Sequence, residues 1–378
     1  MRIRELAAEG WRNLAPLALR PGEHLSVLYG DNGQGKTNVL EAAYYLAALR
    51  SFRTSHAEDL IGRGEPSGRS RLRADVTHRG LERRFEIELG PAGRIARLDG
   101  KVVRGAAAAL GAVSVVLFVP EDLLLPRAAP ATRRRFLDLA IFNVERAYFA
   151  EASAYQKVLK SRNALLRRGS SDQALGEAYD EELARTGARV VMRRRGLVRE
   201  LEPRLAAHFR ALHSELPVGL RYASDAEVEA AGTEAEVEAS LRRGIAARRP
   251  LDLRRRFTSF GPHTDDLEIT LAGTLARRHA SQGQLRSLVL ALKLAELSNV
   301  EARLGEPPVL LLDDVPSELD PIRRALLFGV VAQLDCQTLI SVTERETIPT
   351  APGSDRRDFM VRAGRVIPDL AKVPLHDT

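Results

Sequence analysis

A single cysteine, Cys336, stands in a chain of 378 residues. That excludes an internal disulfide, and no thiolate metal site suggests itself. Its setting, the apolar run QLDCQTLISV, predicts a small core residue beside a strand. No stretch nears the roughly 20 apolar residues that span a bilayer. ALGAVSVVLFVP is too short for that and reads as a buried strand. The start, MRIRELAAEGW, has neither a long apolar run nor a cleavage-site pattern, so a cytoplasmic protein without a signal peptide or membrane contact is expected. Internal repeats and extended low-complexity segments are missing as well. What remains is an ordinary globular composition, 44% hydrophobic and 28% charged, long enough for two domains. The charge is one-sided, +7 net with a pI of about 9.8. A polyanion fits such a surface, although an arginine-rich proteome produces the same balance.

Against that background the stretch GDNGQGKT stands out. Gly30, Gly35, Lys36 and Thr37 satisfy G-x-x-x-x-G-K-[ST], with Asp31, Asn32, Gly33 and Gln34 between them. Glycines let the backbone wrap closely and aim its N–H groups at phosphate oxygens. HLSVLYG before the loop reads as a buried strand. After it, Val39, Leu40, Ala43, Tyr44 and Ala47 fall at helical spacing. Strand, loop and helix in that order are what a phosphate loop needs. The pattern assigns Lys36 to the β- and γ-phosphates and Thr37 to Mg²⁺. A second element, Leu310 to Asp314, is an apolar strand ending in two carboxylates. Asp313 is expected on Mg²⁺, through water. Asp314 is expected to orient or deprotonate an attacking water. Taken alone, two acids at a strand end are as often merely solvated.

Ser281, Gln282, Gly283 and Gln284 form the third element. Ser281 precedes a long helix, so it can cap that helix and still face an anion. Phosphate loop, then S-x-G-Q with its helix, then carboxylate strand is the order of ABC-type ATPases. In that class the serine motif completes the site of the opposite subunit. Ser281, Gly283 and Gln284 therefore predict ATP held between two protomers. A small-molecule kinase would have no use for them. Ser317 to Asp320 follows the carboxylates, where the class has a loop along the dimer interface; it also reads as a turn before a helix begun by Pro321. Thr343 ends the last strand where many ABC ATPases carry a histidine, so a hydroxyl is left to sense the γ-phosphate. His263, in GPHTDD, reads as a loop histidine rather than a metal ligand.

The fold class expected is α/β: an ABC-type P-loop ATPase head with a small antiparallel β lobe and an inserted helical domain. Residues 1–125 are the first half of the core with the β lobe, its strands RLRADVTH, RRFEIELG and RIARLDGKVV separated by turns. Residues 126–255 are the insert, and 256–378 the second half of the core. Within the insert one long helix is expected from Thr132 to Gly169. A second runs to about Ser214, with a kink or break at Pro203. A strand, PVGLRYA, and an acidic helix follow. Arg133, Arg134, Arg135, Lys157, Lys160, Arg162, Arg167 and Arg168 give the first helix a basic character. That suits either a solvated face or sequence-independent phosphate contacts.

The chain resembles the RecF family of bacterial recombination-repair ATPases, relatives of the heads of chromosome-maintenance proteins. The resemblance runs through GWRNL, GDNGQGKTNVLEAAYYL and SFRTS, then FVPEDLLLPRAAPATRRRFLD and FGPHTDDL, and finally ASQGQLRSLVLALKLAE and LLLDDVPSELD. One departure is Pro126, Arg127, Ala128 and Ala129, where the family has a glycine-containing turn. Membership implies ATP, Mg²⁺ and an ATP-dependent homodimer. It implies binding to double-stranded DNA near gaps, in repair and replication, and the partners RecR and RecO. It also implies that Arg12 and Asn13 lie near the nucleotide. Asp314 stands where many relatives of the wider class use glutamate. Its shorter arm holds water less closely, which predicts slow ATP turnover. The other reading that the motifs allow is an ABC-type ATPase subunit of another machine, such as a transporter. The length of the insert counts against it.

Overall fold

Strands in chain order are β1 (Arg2–Glu9), β2 (Leu17–Leu19), β3 (Leu25–Tyr29), β4 (Ser70–His78), β5 (Leu81–Gly90), β6 (Gly93–Leu98), β7 (Lys101–Val103), β8 (Val115–Phe118), β9 (Val218–Ala223), β10 (Asp266–Leu271), β11 (Thr274–Leu275), β12 (Val309–Asp313), β13 (Thr338–Val342), β14 (Arg356–Arg362) and β15 (Arg365–Pro368). The helices are α1 (Lys36–Ala48), α2 (Pro130–Val144), α3 (Ala147–Arg168), α4 (Gln173–Leu212), α5 (Ala226–Ala230), α6 (Glu234–Arg255), α7 (Ala276–His279), α8 (Gln282–Leu304) and α9 (Pro321–Gln333). This computed structural model describes residues 1–103, 113–169, 172–213, 215–333, 335–348 and 355–369. The chain divides into two compact units, Met1–Leu123 with Glu296–Thr378, and Leu124–Ala295.

In the first unit, alternation builds an antiparallel sheet in the order β2-β1-β4-β5-β6-β7. β4 buries Leu72, Ala74 and Val76, and β5 buries Phe85, Ile87 and Leu89. Their register sets Leu72 opposite Ile87 and Ala74 opposite Phe85, so one face is apolar throughout. The second sheet has the order β15-β14-β3-β13-β12-β8 and is parallel except for β15. Its strands VLLLD and TLISV are buried at every position, as parallel strands covered on both faces must be. α1 packs on β13, β12 and β8 of this sheet and on β4 and β5 of the other. Every residue from Val39 to Ala47 is accordingly buried. The five apolar positions read at helical spacing, Val39, Leu40, Ala43, Tyr44 and Ala47, are therefore only part of its packing. Trp11, wholly buried, meets Tyr45 edge-on at 5.3 Å and donates its Nε1–H to the Asn38 carbonyl at 3.0 Å.

The second unit joins the insert to more of the following chain than its composition suggests. The alternating apolar residues Leu267, Ile269 and Leu271 form β10. It pairs with β9 and β11 in a three-stranded antiparallel sheet, not with the parallel one. Buried Leu267, Ile269 and Leu271 alternate with half-exposed Asp266, Glu268 and Thr270, the pattern of a one-sided sheet. Residues 256–295, grouped by sequence with the second half of the core, thus belong to this unit. The single helix expected over Thr132–Gly169 is two, α2 and α3. Glu145 leaves helical geometry at φ −133°, and the break folds Tyr148 back so that its hydroxyl donates to Asp138 at 2.5 Å. Of the kink or break expected at Pro203, the break does not occur: α4 runs 40 residues through the proline. Leu197, Val198, Leu201, Leu205 and Phe209 bury the helix on both sides of the proline. That packing offsets the roughly 3 kcal/mol an interior proline costs.

Four of this unit's arginines are tied to partners within it rather than standing as free surface charges. Arg133 is 2% exposed and makes a bidentate pair with Asp266, 2.7 Å on each arm. Arg162 donates to Asp180, Asp252 and Thr258 at 2.7–2.8 Å. Arg194 grips Asp138 and the Pro262 carbonyl. Arg134 gives its guanidinium to the Asp265 carbonyl at 2.6 Å. For Arg133, Arg134 and Arg162 the basic-face reading is therefore corrected: these groups are spent inside the fold. Lys157, Lys160, Arg135, Arg167 and Arg168 remain exposed.

Candidate nucleotide-binding site

β3 delivers the chain to Gly30 at the C-terminal edge of the parallel sheet, and α1 leaves it at Lys36. Gly30 has φ +140°, and a Cβ there would sit 2.4 Å from the Val361 carbonyl oxygen of β14. Gly35 has φ +117°, and its Cβ would press on Leu14 at 2.9 Å and the Asn13 Oδ1 at 3.1 Å. Only glycine fits both places. The loop is strapped down at its middle. The Gln34 carbonyl accepts from Gly364 N–H at 2.9 Å, and its Oε1 accepts from Ala363 N–H at 2.6 Å. Asp31, Asn32 and Gly33 face solvent at the tip.

Lys36 is buried, and its ammonium donates to the Gly30 and Asp31 carbonyls at 2.5 and 2.8 Å. Burial pulls its pKa below the ordinary value, opposed by the charges of Asp314, Asp313 and Asp31. Thr37 donates its hydroxyl to Asp313 Oδ1 at 2.9 Å, tying the first turn of α1 to the end of β12. Asp313 is 7% exposed, and desolvation raises its pKa, while hydrogen bonds from Ser341 and Thr37 pull the other way. Ser341 Oγ donates to the same Asp313 oxygen at 2.6 Å and accepts the Asp314 N–H at 3.0 Å. Asp314 has φ +53°, a left-handed conformation at the strand end. Its Oδ1 accepts from Ser317 at 2.6 Å. One chain of contacts thus runs from Thr37 through Asp313 and Ser341 to Asp314 and Ser317.

Thr37 and Asp313 offer two adjacent oxygen donors, one of them anionic. That set suits a hard cation such as Mg²⁺, which takes one or two protein oxygens and completes its shell with phosphate and water. No cluster of three or more histidine, cysteine or acidic side chains able to hold a metal occurs among the described residues. His263 is half-buried instead, against the Tyr155 hydroxyl at 2.5 Å and the Thr258 carbonyl at 3.0 Å, and desolvation lowers its pKa.

The two residues implied by resemblance part company. Asn13 lies on the loop, donating to the Gly33 carbonyl at 3.3 Å and accepting from Asn38 at 2.6 Å. Arg12 instead makes a bidentate pair with buried Glu41, 2.8 Å on each arm, and donates to the Asp59 carbonyl. Ser281 and Gln284 cap α8 reciprocally: Ser281 Oγ accepts the Gln284 N–H at 3.2 Å, and Gln284 Oε1 accepts the Ser281 N–H at 2.8 Å. They and Gly283 lie in the second unit, whereas Lys36, Thr37, Asp313 and Asp314 are assembled in the first. Sequence reading missed Ser341 and Arg53. A serine in an otherwise apolar strand was the available signal for Ser341. Arg53, in SFRTS, donates to Asn38 Oδ1 at 2.7 Å, and its charge lowers the pKa of Asp313.

No protein-family model matches the chain. Whole-protein relatives do. It is 43% identical to the DNA replication and repair protein RecF of Anaeromyxobacter sp. (strain Fw109-5), over 97% of this chain and 99% of the relative. To the protein of the same name from Myxococcus xanthus (strain DK1622) it is 42% identical, over 97% of each. A solved structure of the recombination mediator protein RecF with ATP, in the RecFOR pathway, aligns at a TM-score of 0.88 and 31% identity over 97% of both chains. An Smc head bound to the C-terminal winged-helix domain of ScpA aligns at 0.57 and 14%, over 98% of both, a likeness of fold alone. With relatives this similar across nearly its entire length, the chain belongs to the RecF family.

Proposed function

We propose that the chain is an ATP-driven switch of DNA repair and replication. ATP is taken up by the loop Gly30–Thr37, with Mg²⁺ held by Thr37 and Asp313. The observation that carries this reading is the contact chain Thr37–Asp313–Ser341–Asp314, which fixes both carboxylates against the phosphate loop. When bound, the cation neutralises phosphate charge. Lys36 exchanges its carbonyl partners for phosphate oxygens. Asp314, steadied by Ser317, orients the attacking water and takes its proton. The short arm of Asp314 makes this step slow, as suits a timer. Ser281, Gly283 and Gln284 meet the nucleotide of a second copy, so ATP favours a homodimer that closes on double-stranded DNA beside gaps. RecF with ATP in the RecFOR pathway supports the nucleotide and suggests RecO and RecR as partners in loading recombinase in the cytoplasm. Sedimentation with ATP·Mg²⁺ tests the dimer: wild type should sediment as a dimer with ATP and as a monomer with ADP. Lys36→Ala should stay monomeric with both. A mass that ignores nucleotide contradicts the switch.

A further inference from the structure

The DNA-binding part of that reading leaves open which surface meets the phosphates, and the second unit offers one corner where cations stand without partners. Arginines elsewhere on its helices are mostly matched with acids: Arg185 with Glu182, Arg193 with Glu145 and Glu151, Arg242 with Glu238, Arg243 with Glu227, and Arg249 with Asp180. At the C-terminal ends of α3 and α6 this stops. Arg167 and Arg168 close α3, and Arg254, Arg255 and Arg256 close α6. All five are exposed, and none has a carboxylate partner among the described residues. Leu253 and Phe257, flanking the second triplet, are 46% and 47% exposed.

The two ends belong to one surface. Arg162 of α3 reaches Asp252 of α6 and Thr258 just beyond it, both at 2.8 Å, and Asn163 accepts from Thr258 at 2.7 Å. A cavity of about 360 Å³ is lined jointly by Leu165, Leu166 and Leu253. The buried pairs therefore act as a clamp that holds the exposed arginines rigidly in place. A helix dipole favours basic residues in a last turn, which accounts for some of this charge. It does not account for Arg256. That residue caps α6 at φ +60°, a left-handed conformation that favours glycine over any residue with a Cβ. An arginine persists where glycine would fit without strain.

We propose that this corner, Arg167, Arg168, Arg254, Arg255 and Arg256, is a phosphate-backbone contact for DNA. It rests on the DNA-binding reading and assigns that reading a place. Five cations on a rigid support, unneutralised by neighbours, match the spacing-tolerant, sequence-independent recognition of a polyanion. The test is fluorescence anisotropy of a gapped duplex with ATP·Mg²⁺ over a salt series. It compares wild type with Arg167→Ala/Arg168→Ala/Arg254→Ala/Arg255→Ala. A charge-matched control removes four cations that already have partners: Arg185→Ala/Arg193→Ala/Arg242→Ala/Arg243→Ala. Each lost phosphate contact lowers the slope of log K against log salt by about 0.9. The corner variant should lose about 3.6 units of slope and at least tenfold in affinity at low salt, while the control stays within about twofold. ATP turnover without DNA should match wild type, which shows that the corner variant is folded. Equal affinity and slope in the corner variant and wild type would overturn the proposal. A wild type that binds no DNA at all would instead fail the parent reading, before any variant is compared.

Discussion

Ser341 touches both ends of the carboxylate pair, and it shows how far single residues could be read. Asp313 and Asp314 were legible because they end one apolar strand, and Lys36 and Thr37 because they lie in one eight-residue loop. Ser341 was not, because its role depends on β13 lying between β3 and β12. That adjacency joins residues 27 and 28 positions apart. The pairing of Arg12 with Glu41 was hidden for a similar reason. Glu41 looks like a polar helix residue until α1 is seen covered on all sides. Ser341→Ala should leave Asp313 short of one hydrogen bond and the Asp314 N–H short of its hydroxyl partner. ATP turnover is expected to fall about tenfold, and stability by about 1–3 kcal/mol, measured by steady-state hydrolysis and urea unfolding. Asp314→Ala should retain ATP binding and lose turnover at least a hundredfold. Intact hydrolysis in that variant would remove Asp314 from the proposed chemistry.

At the scale of elements, periodicity located most strands and helices, and turn chemistry located fewer of their ends. The DGK turn was visible, with Asp99 and Gly100 at φ +50° and +76°. Arg79–Gly80, Ala272–Gly273 and Ala363–Gly364 adopt the same two-residue geometry, although arginine and alanine are poor signals for it. The basic helix was half legible. Composition shows charge, but whether an arginine is spent internally depends on acids as distant as Asp252, 90 positions from Arg162. Arg162→Met should leave Asp180 and Asp252 buried without that cation. It should destabilise the second unit by roughly 3–5 kcal/mol in urea unfolding. Asp265 provides a pH test. It is buried, accepts from the Tyr222 hydroxyl at 2.7 Å, and desolvation pushes its pKa from 3.8 up to about 6. A carboxyl raised on folding binds its proton more tightly in the native state. Its contribution is complete below 3.8 and lost as pH rises through about 6. Stability should therefore drop by roughly 2–3 kcal/mol between pH 4 and pH 7 relative to Asp265→Asn, read by urea unfolding at each pH. A difference between the two proteins that does not change with pH would contradict this.

For the molecule as a whole, the order of motifs carried most of the information. β3 and β13 are hydrogen-bonded neighbours although more than three hundred positions separate Leu25 from Thr338. A core split in this way was expected, because the phosphate loop and the carboxylate strand lie on opposite sides of the helical region. Where the core resumes was not readable, because β10 looks like any strand until its partners are known. The central claim is that nucleotide state controls DNA binding. Its most direct test is anisotropy of a gapped duplex titrated with the protein in ATP·Mg²⁺ and in ADP, alongside Lys36→Ala. Binding at least tenfold tighter with ATP than with ADP, with the difference lost in Lys36→Ala, is the predicted result. Equal binding in both nucleotides would contradict the claim and leave a basic protein whose phosphate loop is unconnected to DNA.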